Sequence, residues 1–315
     1  MLNRSQADIM KTWGDEKTPI VSIKCLAYNH EKYIAQALDG FLMQQTTFPF
    51  EVIVHDDAST DNTANIIREY ENKYPQIIKP IYQVENQYSK PGVSVNSFIY
   101  PKLMGKYIAT CEGDDYWIDE NKLQMQVEFL EKNPKYGMCY TKAKQYIQNE
   151  QKLSTRIYGS KVEKYEDLYV NGNKIITLTT MYKKELLNKY QEEICPNDKG
   201  WLMGDLPMWL YFSKNKKMKF VKKVTGVYRC LEESASHTKD LKKKEAFRKS
   251  SEDIRKYFAE KYGEKHLFHK YIVVEEFSNF IEKKMFEKAL VSLIKQPKIL
   301  FSKRSVILFV KGLLK

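Results

Sequence analysis

The chain has 315 residues, 43% of them hydrophobic, and a formal net charge of +12. That length holds one large α/β domain with an appendage or two modest domains, and the apolar fraction, with no low-complexity tract, excludes a disordered or fibrous protein. The Lys excess fits anionic partners such as nucleotide-sugars, polyprenyl phosphates or acidic lipid, whereas its dispersion, without any recognised module, excludes nucleic acid. Five cysteines (Cys25, Cys111, Cys139, Cys195 and Cys230) are scattered without a CxxC pair. They read as reduced thiols, not as a zinc site or a disulfide framework. Residues 1–14 are polar and no apolar run is long enough to span a bilayer, so the expected location is cytoplasmic, at the inner face of the cell membrane.

Taken in chain order, Val21–Ala27 reads as a strand, followed by a loop at Tyr28, Asn29 and His30. Residues 31–44 have helical periodicity through Ile34, Ala37, Leu38, Phe41 and Leu42. Residues 50–55 form a second strand that ends abruptly at Asp56-Asp57-Ala58-Ser59-Thr60. A helix over 61–74 stops before Pro75, and strands follow at 77–84 and 106–111. Residues 122–130 read as a helix capped by Asp119. After Tyr140 the pattern is irregular: a short helix at 165–170, a β-rich run at 175–182, a helix at 202–213 and a late strand at 219–228. Basic helical segments cover 241–262 and 268–294, and Pro297 precedes a last segment, 299–315. The alternation predicts an α/β fold, a mostly parallel Rossmann-like sheet with helices on both faces, over residues 1–240. Residues 241–315 are then a basic helical C-terminal region.

The sharpest chemical signal is Glu112-Gly113-Asp114-Asp115, three carboxylates in four residues directly behind a buried strand. Crowded negative charges repel unless a positive group sits among them, and a divalent cation carrying a phosphorylated substrate is the economical one. The bland reading is a helix N-cap, a task here assigned to Asp119. Asp56-Asp57 repeats the pattern at another strand end, although Ser59, Thr60 or Asp61 could make that stretch a capped turn. In a parallel sheet both strand ends face one side, where one carboxylate can meet a base N–H while others meet ribose hydroxyls and a metal.

Val21-Ser22-Ile23 with Tyr28-Asn29, then residues 54–61, then Glu112-Gly113-Asp114-Asp115, together resemble the family 2 glycosyltransferases over residues 19–237. These are inverting, nucleotide-sugar-dependent enzymes of the GT-A fold. The resemblance implies that Asp56, with Asp57 beside it, contacts the nucleotide base in a pocket lined by Tyr28 and Asn29. It implies that Glu112 faces ribose, Asp114 ligates the metal and Asp115 supports it, with Glu112 where the family has Asp. Asp205, after Gly204 where the family often has Glu, falls at the position of the catalytic base. A cap for the helix it opens is the alternative role. Arg229 would offset charge on the diphosphate, and His237 would ligate the metal or donate to phosphate.

The implied reaction is metal-dependent transfer, with Mn or Mg, from a nucleotide-sugar, expected to be a UDP-sugar. The acceptor is a hydroxyl of a glycan or polyprenyl-linked sugar in bacterial surface polysaccharide synthesis. The departures at Glu112 and Gly204 keep open a catalytically silent nucleotide- or glycan-binding protein of the same fold. A nucleotidyltransferase would need a Gly-rich basic loop after the first strand, and residues 27–30 are not one. Residues 299–315 are apolar with interspersed cations, suited either to the membrane interface or to packing on protein.

Overall fold

The computed structural model describes residues 3–90, 92–231, 240–282 and 285–295. After α1 (Gln6–Met10) the chain alternates β1 (Val21–Ala27), α2 (Ile34–Leu42), β2 (Phe50–Asp56), α3 (Thr63–Lys73) and β3 (Ile78–Tyr82). The single turn α4 (Asn96–Ile99) leads to β4 (Tyr107–Thr110), the short β5 (Tyr116–Trp117) and α5 (Lys122–Lys132). A hairpin of β6 (Tyr136–Ile147) and β7 (Lys152–Tyr158) follows, then α6 (Tyr165–Asn171), β8 (Met181–Lys183) and α7 (Lys184–Ile194). The helix α8 (Asp205–Asn215) and the long β9 (Lys217–Cys230) precede α9 (Leu241–Lys261), α10 (Lys265–Glu282) and α11 (Phe286–Lys295).

The strands form one sheet in the order β3-β2-β1-β4-β8-β6-β9-β5, with β7 paired to β6. The half β3-β2-β1-β4 is wholly parallel, as is the β6–β9 pair. Strands β5, β7 and β8 run antiparallel to their neighbours. β1 and β2 are buried at nearly every position because helices cover both faces of a parallel sheet. The two-residue period of a strand then sorts each side chain to a face. Val52 and Val54 join a core with α2, α3 and α5, whereas Ile53 and Ile108 face a second core built with α6 to α10. Ile254 and Phe258 of α9 and Tyr271 of α10 lie in that second core, so apolar packing runs across residue 240.

Three local expectations change. The helix expected to be capped by Asp119 begins after Asn121, which makes no side-chain cap bond. The Asp119 carboxylate instead accepts from the Asn121 backbone N–H at 3.2 Å and pairs with Lys223 at 2.7 Å. The β-rich run at 175–182 is a 3-10 turn, Thr177–Thr179, before β8. The hydroxyls of Thr179 and Thr180 bond back to the carbonyls of Ile176 and Thr177 at 2.7 and 2.8 Å. Such local bonds compete with a sheet ladder. The helical run at 268–294 is two helices, α10 and α11. Among the described residues no helix is long and apolar enough to cross a membrane, and residues 299–315 lie outside them.

One buried charge has a measurable consequence. Lys122 is fully buried, its ammonium 2.8 Å from Gln126 Oε1 and 4.1 Å from the Trp117 ring centroid. Burial pulls its pKa from 10.5 down to about 7. Between those values the unfolded chain holds a proton that the folded chain has released, so stability rises with pH across that window. The slope of wild type relative to Lys122→Met is expected to be on the order of 1 kcal/mol per pH unit, read by urea unfolding between about pH 7 and 9.5. Parallel pH profiles for the two proteins would sink this account.

Candidate active site

The parallel half of the sheet brings three strand ends together. Ala27 of β1 is in register with Asp56 of β2, and Lys24 of β1 with Thr110 of β4. Backbone bonds then stitch the loops beyond the strands: Asp57 N–H donates to Ala27 O at 3.0 Å and Gly113 N–H to Leu26 O at 2.8 Å. The two acidic segments are thus fixed on either side of Tyr28 and Asn29. A Cβ on Gly113 would come 2.9 Å from both His30 Nδ1 and Ile34 Cδ1, too close to be tolerated without movement.

Each acidic side chain has a distinct environment. Asp56 is buried and accepts from Ser59 Oγ at 2.5 Å. Asp57 accepts the backbone N–H groups of Gln87 and Tyr88 at 2.8 and 2.9 Å, so its carboxylate shapes the loop after β3. Glu112 is half-buried and accepts Leu26 N–H at 3.3 Å; burial pushes its carboxyl up and Lys24 opposes the shift. Asp115 is buried and accepts Arg229 N–H at 2.8 Å, and burial with neighbouring Asp114 pushes it well above the usual carboxylate range. The half-buried Asp114 carboxylate accepts no hydrogen bond from the described residues; only its backbone carbonyl is engaged, by Arg229 Nε at 2.7 Å.

Three expected side chains have less direct positions. Tyr28 stands 44% exposed at the rim, open to stacking. Asn29 adopts a left-handed backbone, φ 55°, and its side-chain oxygen accepts Thr60 N–H at 2.8 Å, which clamps the β1 and β2 loops together. Arg229 is only 6% exposed. Besides Asp114 O, its guanidinium reaches Gln148 Oε1 at 2.8 Å and Gln36 Oε1 at 2.6 Å. The rings of Tyr33, Tyr146 and Tyr116 surround it, 4.8, 5.2 and 5.3 Å away. A guanidinium so enclosed braces the acidic loop from behind. His237 lies outside the described residues.

Asp205 opens α8, and Gly204 before it makes no side-chain cap bond. Its Oδ1 accepts Leu206 N–H at 2.7 Å and its Oδ2 accepts from Asn173 Nδ2 at 2.8 Å. Burial raises its pKa; those hydrogen bonds and the charge of Lys24 hold the rise back. The sequence reading missed Lys24, although a lone cation within the apolar Val21–Ala27 is a readable anomaly. Lys24 is 7% exposed, and burial lowers its pKa against the attraction of Glu112 and Asp205. It is the positive charge among the carboxylates, arriving from β1 itself. His30 was also passed over: its Nδ1 is buried without a hydrogen-bond partner, and burial lowers its pKa despite nearby Asp114.

Among the described residues no three His, Cys, Asp or Glu side chains form a complete metal cage. The hard, unbonded carboxylate of Asp114 still fits Mg or Mn, which commonly take one or two carboxylates and complete their shell with substrate phosphates and water.

Comparison with known proteins agrees with this geometry. The model of glycosyl transferase family 2 matches residues 22–191, more than half of the chain. TuaG of Bacillus subtilis, named for teichuronic acid biosynthesis, is 30% identical over 62% of this chain and 73% of its own. WfgD of Escherichia coli, a UDP-Glc:alpha-D-GlcNAc-diphosphoundecaprenol beta-1,3-glucosyltransferase, is 25% identical over 70% of this chain and 81% of its own. Rv1520 of Mycobacterium tuberculosis is 47% identical over 121 residues, 38% of this chain; the match spans only 34% of that longer protein. The structure of Staphylococcus aureus TarS 1–349 with UDP-GlcNAc superposes with a TM-score of 0.51 at 17% identity, covering 83% of this chain and 80% of that one, a likeness of fold. With its GT-A type α/β sheet and the acidic segments in order along it, the chain belongs to glycosyl transferase family 2.

Proposed function

We propose that the protein transfers a sugar, with inversion, from a UDP-sugar to a hydroxyl of a glycan or polyprenyl-linked acceptor during surface polysaccharide assembly. Supporting this is one arrangement: an unbonded Asp114 carboxylate beside the loop-forming Glu112 and Asp115, with Asp205 on the same side of the sheet across buried Lys24. TuaG and WfgD are both named for glycan assembly, WfgD with a UDP-sugar and a lipid-linked acceptor. Peripheral membrane contact through residues 299–315 would suit such an acceptor.

In this reading Asp56 and the exposed ring of Tyr28 receive the nucleotide base, with Asn29 and Asp57 holding the two loops that present them. Glu112 meets ribose. Asp114 is the residue that would hold Mn or Mg, and His237 would add to that hold. The ion, when bound, would offset charge on the leaving diphosphate. Asp205 takes the proton of the acceptor hydroxyl as its oxygen forms a bond to the anomeric carbon and the bond from that carbon to the diphosphate oxygen breaks on the opposite face. Arg229 keeps the acidic loop in place from behind.

Thermal-shift measurements with UDP, UDP-glucose, UDP-N-acetylglucosamine and GDP-mannose, with and without Mn or Mg, test the donor half. The UDP compounds are expected to raise Tm more with metal present, and Asp56→Ala to remove the UDP shift. No stabilisation by any nucleotide would overturn the proposal. Binding without UDP release on any acceptor would favour the silent nucleotide-binding alternative.

A further inference from the structure

A cavity of about 460 Å³ opens beside Asp205, within the range of small-molecule sites. Gly204, immediately before Asp205, and Pro207, just after it, are on its wall. Facing them are the loop that follows β3 and the segment that follows α7. The acidic segments after β2 and β4 contribute nothing to its lining. It is therefore a separate compartment that reaches the carboxylate cluster only through Gly204 and Pro207, which flank Asp205, and through Tyr100, whose ring centroid lies 5.7 Å from the Lys24 ammonium.

The chemistry of the lining is selective. Two of its lining residues carry a buried polar atom with no hydrogen-bond partner, Asn96 Oδ1 and Tyr190 Oη. An orphaned buried acceptor or hydroxyl is costly, so both gain from a hydrogen bond that an incoming molecule supplies once the side chain turns toward it. Trp201 offers a flat apolar face, fixed by Tyr257 edge-on at 5.4 Å and Phe258 stacked at 6.3 Å. A pyranose ring has this pair of surfaces: hydroxyls around its edge and C–H groups on its face. Charge discriminates further. The one ionic side chain among the described lining residues, Lys90, is already bridged to Glu85. At Gly204 an added Cβ would meet only Asn96 Nδ2, at 3.9 Å, so the wall next to Asp205 is open.

We propose that this cavity is the acceptor subsite and that it takes an uncharged pyranose ring, stacked on Trp201 and hydrogen-bonded to Asn96 and Tyr190, which presents a hydroxyl to Asp205. The assignment rests on the glycosyltransferase reading above and adds the class of acceptor. Because the donor's carboxylates lie outside the cavity, its occupancy is separable from nucleotide binding.

Saturation-transfer NMR with the methyl glycosides of glucose, galactose, N-acetylglucosamine, N-acetylgalactosamine and glucuronic acid tests it, alongside the UDP thermal shift on the same samples. One or more uncharged glycosides are expected to bind the wild type, the glucuronide to bind more weakly, and Asn96→Ala and Trp201→Leu to weaken binding about fivefold or more. Gly204→Glu, which meets open space and so preserves the fold, is expected to abolish it by filling the wall with a charge. Each variant should keep the UDP shift. Binding of no glycoside, equal binding by Gly204→Glu, or preference for the glucuronide would overturn the acceptor assignment. Loss of the UDP shift in the wild type would overturn the glycosyltransferase reading instead.

Discussion

Asp205→Asn is expected to lower kcat by roughly 10²–10⁴-fold, the usual contribution of a positioned general base, with the affinity for UDP unchanged. The substitution preserves shape. Asparagine can still accept the Leu206 N–H that Asp205 Oδ1 holds at 2.7 Å, so the start of α8 stays intact. What it removes is a carboxylate oxygen able to take a proton at neutral pH, together with the acceptor that Asn173 Nδ2 meets at 2.8 Å. The pH profile supplies a second readout. Burial raises the Asp205 pKa above 3.8 while Lys24 opposes it, so wild-type activity should fall on the acid side as the carboxylate protonates. That acid limb should be missing from the residual activity of the variant. An equal loss of UDP affinity, or an unchanged kcat, would remove Asp205 from the role of base.

The parts legible in the sequence were those whose causes are local. β1, β2 and β4 read correctly because strands covered on both faces are apolar at consecutive positions, and the acidic segments could be placed because they directly follow those strands. The second half was obscure for the converse reason. β6 mixes Lys142, Lys144 and Gln145 with tyrosines, and β7 is largely exposed, so no clean alternation marks them. The turn at 177–179 is decided by threonine hydroxyls competing with the ladder, which composition alone does not reveal. The electrostatics were hidden more deeply. Lys24 is conspicuous in its strand, yet its relation to Asp205 depends on a helix 181 residues further along the chain. The environment of Arg229 is assembled from three separate segments, 33–36, 114–116 and 146–148. No local pattern distinguishes an arginine that meets a diphosphate from one that supports the loop beneath it.

That distinction is testable through stability. Arg229→Met is expected to destabilise the protein by about 2 kcal/mol, because it strips the donor from Asp114 O and Gln148 Oε1 at roughly 1 kcal/mol each, whereas the exposed Gln36 turns to water. In a protein of this size that corresponds to a Tm lower by roughly 3 °C. Replacing a buried ionic group by an apolar one can be neutral when its partners leave with it. Here they stay, including the Asp115 carboxylate, which keeps only the Arg229 backbone N–H at 2.8 Å. Arg229→Lys should behave nearly as badly, since one ammonium cannot reproduce a planar fork that reaches three acceptors within a ring of tyrosines. UDP affinity should fall only to the extent that the acidic loop loosens, so that lowering the temperature restores much of it. The opposite pattern, full stability with a large loss of UDP affinity at every temperature, would show the guanidinium meeting the diphosphate itself. The brace would then have to be sought in the tyrosines around it.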